Sequence, residues 1–261
     1  MRRFWPRRAR SREAAMTEDA PLSPELLPAG PDGIELRFAR RPEPAAMAAV
    51  QVLAAEIAAA PPEGLRELVP GLVSVLLRLD PGTVAAVGPG LLARARAIAA
   101  TRPALPAPTR RWTIPAAFGG AEGPDLAAVA ARLGQSEAAA AAEICAAELR
   151  VLTIGFAPGQ PYIGLLPEAW NLPRLPELTP SVPAGALVVA VRQLVLFGAA
   201  SATGWRQVAQ VAFRPFRPDR AEPMPLRAGD AIRFAAAPAD QIATLAGDPQ
   251  GLGGARLEVL A

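Results

Sequence analysis

The chain has neither histidine nor lysine, and it carries one cysteine, Cys145, and one tyrosine, Tyr162. Lack of lysine removes a P-loop and any Schiff base. Lack of histidine removes Ser–His and Cys–His pairs and the usual zinc sites, so no metal ligands are expected. One cysteine cannot close an intramolecular disulfide, so nothing marks the chain as secreted and a cytoplasmic setting is expected. Charges, prolines and glycines interrupt every apolar run before it reaches bilayer length, and no membrane role is expected. Catalysis of any kind is left to carboxylates, arginine, hydroxyls, Cys145 or backbone groups.

Basic character is also scarcer than it looks. The net charge is +3 and the pI ≈ 10.2, but Arg2, Arg3, Arg7, Arg8, Arg10 and Arg12 precede the first acid. Removing these six from +3 leaves −3 for residues 13–261. The folded part therefore lacks the basic surface that a nucleic-acid partner requires, and none is expected. The Arg-rich head resembles an export or transit signal, yet Glu13, Glu18, Asp19 and prolines stand where an apolar segment should be. It reads as a disordered tail over 1–30, with translation starting at Met1 or Met16.

With 261 residues, 51% of them hydrophobic, the rest can bury one large core or two small ones. Residues 31–105 read as a small α+β domain. Ile34–Phe38 alternates as a strand; Met47, Val50, Leu53 and Ile57 recur at helical spacing; Leu65–Val69 and Val73–Leu79 read as two more strands. Leu91 or Leu92, Ala95 and Ile98 mark a second helix. This order needs one further strand to complete a split βαβ arrangement. Thr101–Thr109 holds three prolines and reads as a linker. Residues 109–261 follow: a strand at Trp112–Pro115, helices starting near Leu126 and Glu137 with Ser136 as N-cap, then short strands at Ala186–Val191, Gln193–Phe197, Trp205–Val211, Ala231–Phe234 and Arg256–Leu260. That spacing predicts a closed or nearly closed barrel.

The most distinctive stretch is Gly155-Phe156-Ala157-Pro158-Gly159-Gln160-Pro161-Tyr162-Ile163-Gly164. Three glycines and two prolines in ten residues predict a shaped turn rather than a helix or a regular strand. A stiff backbone would present Phe156 and Tyr162 and leave the amides of Gly159 and Gln160 free, which suits a binding lip. The same residues also suit a tight connection whose rings plug the core. Glycines in Phe118–Asp125 could seat an anion at a helix start, but Glu122 and Asp125 argue for a plain helix-initiating turn.

Together with Ile114-Pro115, Phe118-Gly119-Gly120, Gly123-Pro124-Asp125-Leu126, Pro173-Arg174, Val182-Pro183-Ala184-Gly185 and Thr203-Gly204-Trp205, this stretch resembles the family of the B subunit of bacterial 5-oxoprolinase. That family includes the sensor-kinase inhibitor KipI and allophanate hydrolase subunit 1. The closing Leu226–Phe234 segment fits as well. The resemblance implies a small split-βαβ N-terminal domain and a cyclophilin-like β-barrel C-terminal domain, α+β overall. It further implies work with a homologous C-type subunit and an A-type subunit in ATP-dependent opening of 5-oxoproline to glutamate. A KipI-like regulatory protein, or one acting on another small amide, is the alternative.

Some motif positions depart from the family pattern. Cys145 stands where a histidine is usual, Gln160 where a phenylalanine is, Leu175 where a second arginine is, Val191-Arg192 in place of Gly-Gly, and Thr203 in place of a glycine. They bear on catalysis more than on fold. Cys145, in an alanine-rich helix beside Ile144, reads as an inert buried thiol. The candidate substrate-binding residues are Phe156, Pro158, Gly159, Gln160, Tyr162, Arg174, Gln193 and Trp205. Arg174 either grips a carboxylate or caps a loop carbonyl, Gln193 is a ligand-facing amide or an edge-strand residue, and Trp205 is a stacking platform or barrel core.

Overall fold

A computed structural model of the chain describes residues 21–260. The arginines at 2–12 and both candidate starts lie outside the described residues. The first half runs β1 (Glu25–Pro28), β2 (Gly33–Arg37), α1 (Pro44–Ala59), β3 (Leu65–Pro70), β4 (Ser74–Leu79) and α2 (Val84–Thr101). Its antiparallel sheet has the order β1-β2-β4-β3.

The missing strand of the split βαβ pattern is therefore β1, at the front of the unit and inside the segment expected to be a tail. Leu26-Leu27 between Pro24 and Pro28 is too short an apolar run to read as a strand. Pairing with Ile34–Arg37 is what orders it. Ile34 and Leu36 of β2 and Val75, Leu77 and Leu79 of β4 meet Val50, Leu53 and Ile57 of α1 and Leu91, Ala95 and Ile98 of α2. Each Leu or Ile fully removed from water here contributes about 1.5–3 kcal/mol.

The second half contains β5 (Arg110–Phe118), α3 (Leu126–Leu133), α4 (Glu137–Ala146), β6 (Leu149–Ile154), β7 (Pro161–Gly164), β8 (Thr179–Val182), β9 (Ala186–Ala190), β10 (Gln193–Leu196), β11 (Ser201–Thr203), β12 (Arg206–Gln210), β13 (Ala231–Ala236), α5 (Ala239–Leu245) and β14 (Arg256–Val259). The strand order β12-β9-β10-β7-β6-β13-β5 closes into a seven-strand barrel through the β12–β5 pairing, and β14 adds to β5 outside the ring. The Ser136 hydroxyl caps α4, accepting from Ala139 N at 3.2 Å.

Two expectations change here. The turn stops at Gln160: Pro161–Gly164 is a barrel strand between β6 and β10. Proline is tolerated as its first residue, where a missing N–H costs least. The region beyond, read from the sequence only as short strands, also holds a helix, α5, between β13 and β14. The halves touch where Gln51 of α1 donates to Val151 O at 3.4 Å and the Thr153 hydroxyl donates to Pro70 O at 2.7 Å.

The β9–β10 hairpin turns on two residues, Val191 and Arg192, at φ 45° and 65°. Positive φ at both central positions defines the turn whose twist matches antiparallel strands, and it normally selects glycine or asparagine. Val191 N donates to Leu172 O at 2.8 Å and Arg192 N to Trp170 O at 3.1 Å. The Arg192 side chain donates to Leu166 O at 2.9 Å and pairs with Glu168. A β-branched residue at this φ is strained by about 1–2 kcal/mol, of which glycine's extra unfolded-state freedom takes back part. Val191→Gly is expected to raise stability by about 1 kcal/mol, read as a Tm increase of roughly 2–4 °C; an unchanged or lower Tm would refute this.

Candidate functional site

The β9–β10 hairpin is buried on both sides. Since alternate strand residues point to opposite faces, Leu187, Val189, Leu194 and Leu196 join the barrel core. Ala186, Val188, Ala190 and Val195 build a second cluster with Val182, Phe197 and Trp205. Tyr162 sits opposite Val195 on the neighbouring strand and packs on this outer cluster, while its neighbour Ile163 points into the barrel.

A cleft of ≈ 270 Å³ opens on that outer face, lined by Phe156, Gln160, Tyr162, Arg174, Leu178, Trp205 and their neighbours. Phe156 stands at its rim, 79% exposed and at φ 71°. This is a left-handed conformation that an aromatic residue adopts only under constraint, and such strain concentrates at binding and active sites. Trp205 is thus not part of the barrel core. It meets Tyr162 edge to face with centroids 6.1 Å apart, and the Arg174 guanidinium lies 5.5 Å above its ring.

Arg174 makes no ion pair among the described residues, and its loop is held from both sides. Arg206 Nη1 donates to Pro173 O at 2.6 Å, and Leu175 N donates to Gly204 O at 2.7 Å. Burial lowers the Arg206 pKa, helped by the like charge of Arg132 and opposed by Asp125. Its buried guanidinium braces the loop from beneath. Sequence reasoning did not single out Arg206, because a strand that also carries Gln207 and Gln210 gives one more polar residue no distinct signal.

Gln160 is 2% exposed, lines the cleft, and its side-chain amide has no protein partner among the described residues. The side-chain amide is not fully enclosed: it reaches the cleft, where an incoming hydrogen-bonding ligand can meet it. Its backbone amide is not free: Gln160 N donates to Ala157 O at 3.1 Å, and Gly155 N donates back to Gln160 O at 3.0 Å. That corrects the expected availability of this amide as a donor. Gly159, at φ 69°, is buried against the chain; a Cβ there would lie 2.5 Å from Pro215 O. It shapes the turn and, like Pro158, does not line the cleft. Gln193 is separated from the others and faces a second cleft that it shares with Arg174.

The Gly-rich turn at 118–125 is tied to β12 and to itself. Gly119 N donates to Val208 O, Gly123 N to Gly119 O and Asp125 N to Gln207 O, at 3.2, 2.9 and 3.0 Å. Cys145 is half-buried in α4 against the barrel core, away from the cleft lining, and burial pushes its thiol pKa up. Among the described residues, no acid, cysteine or histidine lines the first cleft.

Thr203, a departure from the glycine of the family pattern, closes its turn with a side chain: its hydroxyl accepts from Trp205 N at 3.1 Å. Thr203→Val keeps the shape and removes that acceptor. It is expected to lower stability by about 0.5–1.5 kcal/mol in urea unfolding, and no measurable loss would show that the hydroxyl does not hold Trp205.

Comparison with known proteins places these features in a family. A family model described as carboxyltransferase domain, subdomain C and D, matches residues 24–226. The chain is 40% identical over 131 residues to the 5-oxoprolinase B subunit of Escherichia coli O157:H7, which covers 50% of this chain and 60% of that protein. It is 34% identical over 122 residues to the 5-oxoprolinase B subunit of Bacillus subtilis strain 168, covering 46% and 50%. The chain thus spans about half to three fifths of the curated relatives that it matches. Among solved structures, TTHA0988 superposes with a TM-score of 0.63 at 32% identity, over 79% of this chain and 40% of that one. The Kluyveromyces lactis urea amidolyase shares the fold, with a TM-score of 0.68 at 12% identity over 92% and 16%. No helix among the described residues is long and apolar enough to cross a membrane. The split-βαβ unit, the cyclophilin-like barrel and the match over residues 24–226 assign this chain to the carboxyltransferase-domain family, subdomains C and D.

Proposed function

We propose that the chain is the B-type component of an ATP-dependent 5-oxoprolinase, working in the cytoplasm with a homologous C-type subunit and an A-type subunit. The observation that carries this reading is the Gln160 amide, unpartnered among the described residues and open to a cleft that Arg174 also lines. A lactam is a cis amide, with its N–H and C=O on one edge. A primary carboxamide offers the complementary pair, so Gln160 can bond both groups at once. Arg174, without an ion pair among the described residues, suits the carboxylate of 5-oxoproline. Tyr162, Trp205 and Phe156 supply apolar surface for the ring.

The reaction adds water across the lactam C–N bond, giving the amine and carboxylate of glutamate, and ATP supplies the activation that an unreactive amide carbonyl needs. The Gly-rich turn of this chain does not fit a nucleotide. Gly119, Gly123 and Asp125 already donate their amides to backbone carbonyls, Glu122 and Asp125 lie within the turn, and there is no lysine. In this reading ATP belongs to another component of the complex, and the present chain binds, orients and desolvates the substrate. The lack of an acid, histidine or cysteine in the cleft agrees with a component that is inactive alone. It equally favours the second reading, a KipI-like or allophanate-hydrolase-subunit-1-like binding protein.

Co-expression with cognate A-type and C-type subunits, followed by an assay of 5-oxoproline-dependent ATP hydrolysis, separates the two. Turnover is expected, and Gln160→Leu is expected to cut kcat/KM by roughly 10²-fold or more, as loss of a buried hydrogen-bonding pair does. An assembled complex without turnover would overturn the enzymatic reading and leave the binding one.

A further inference from the structure

The second cleft, ≈ 470 Å³, lies where the N-terminal unit meets the barrel. Its lining comes from Arg41, Pro42 and Pro44 on one side and from Glu168, Arg174, Arg192 and Gln193 on the other. Three guanidinium groups face one carboxylate, and that carboxylate, Glu168, is already paired with Arg192. Arg41 and Arg174 have no ion-pair partner among the described residues, which leaves the cleft with two uncompensated positive charges.

Two further features point to an occupant. Gln193 is 3% exposed, lines this cleft, and its side-chain amide has no protein partner among the described residues. Pro44 is the first residue of α1, a helix of 16 residues whose N-cap, Glu43, makes no side-chain capping bond and whose first turn holds no acid. The first-turn N–H groups lie beside the arginines; the Glu43 carboxylate at the N-cap offsets part of the helix dipole but does not line this cleft.

We propose that this interdomain cleft is a separate binding site for a small oxyanion, a carboxylate or a phosphate, held by Arg41, Arg174 and the Gln193 amide. Planar guanidinium groups match both anions in a two-point fashion, and the carboxamide satisfies the remaining oxygen. Because Arg174 borders both clefts and lies on the Trp205 ring, an anion in the second cleft draws the guanidinium off that ring and changes the rim of the first. The site rests on this geometry and does not depend on the reaction proposed above.

The test uses the full chain alone, without other subunits or ATP, so that its result is independent of turnover. Inorganic phosphate and glutarate are titrated by calorimetry at constant ionic strength, with chloride as the balancing ion, and tryptophan fluorescence is followed in parallel. Saturable binding of either anion is expected, with a fluorescence change that Trp205→Phe abolishes. Arg41→Ala, an exposed substitution that leaves the core intact, is expected to weaken binding about tenfold, and Gln193→Leu by a similar factor. Phe156→Ala, which touches only the first cleft, should leave the affinity unchanged. The proposal is overturned if neither anion binds saturably, or if Arg41→Ala binds as the parent does. Preference for phosphate or for glutarate tells which of the two chemistries the site takes.

Discussion

Burial of the β9–β10 hairpin on both of its faces is the constraint on which the rest of the barrel depends. Strand residues alternate with period two, so Leu187, Val189, Leu194 and Leu196 can fill the barrel only if Val188, Ala190 and Val195 point the other way. That outer face is apolar and needs a cover. The segment from Pro173 to Val182, the small β8–β11 sheet, Trp205 and Tyr162 provide it, and the gap that they leave is the first cleft. A one-residue slip in the pairing would exchange the two faces and dissolve both the core and the cleft.

At the positions that depart from the expected family pattern, side chains and backbone partners hold the turns. Val191 and Arg192 accept left-handed φ values because the Leu166–Leu172 segment receives their amides and the Arg192 guanidinium. Thr203 substitutes a hydroxyl acceptor for backbone freedom. Each replacement also alters a cleft: Arg192 brings charge and Val191 apolar surface to the second, and Thr203 lines the first. Gln160, where a phenylalanine is usual, turns an apolar position into a hydrogen-bonding one. The changes thus alter the chemistry of the two clefts while leaving the strand pairing intact.

Much of the fold was legible from periodicity. The helical spacing of Met47, Val50, Leu53 and Ile57 and the alternation in Val73–Leu79 are local consequences of one-sided burial, so they survive in the sequence. β1 was not legible, since Leu26-Leu27 owes its conformation to partners in β2 rather than to its own composition. β7 was hidden for a similar reason: Pro161 and Gly164 look like turn residues until β6 and β10 are seen on either side. In the cleft, Phe156, Gln160, Tyr162, Arg174 and Trp205 could be named as candidates from motif chemistry. Their common lining, and the separation of Gln193 from them, could not.

By itself the sequence determined which chemistries were absent, the rigidity of the 155–160 turn, and which residue types were on hand to bind an amide or an anion; these are properties of side chains and of φ restrictions carried by single residues. Tertiary structure alone decided which of those residues share a cavity. Side-chain direction depends on strand register, and register is set by pairing between segments far apart in the chain. For that reason Tyr162 and Trp205 meet over one cleft, Gln193 turns to another, and Arg174 borders both.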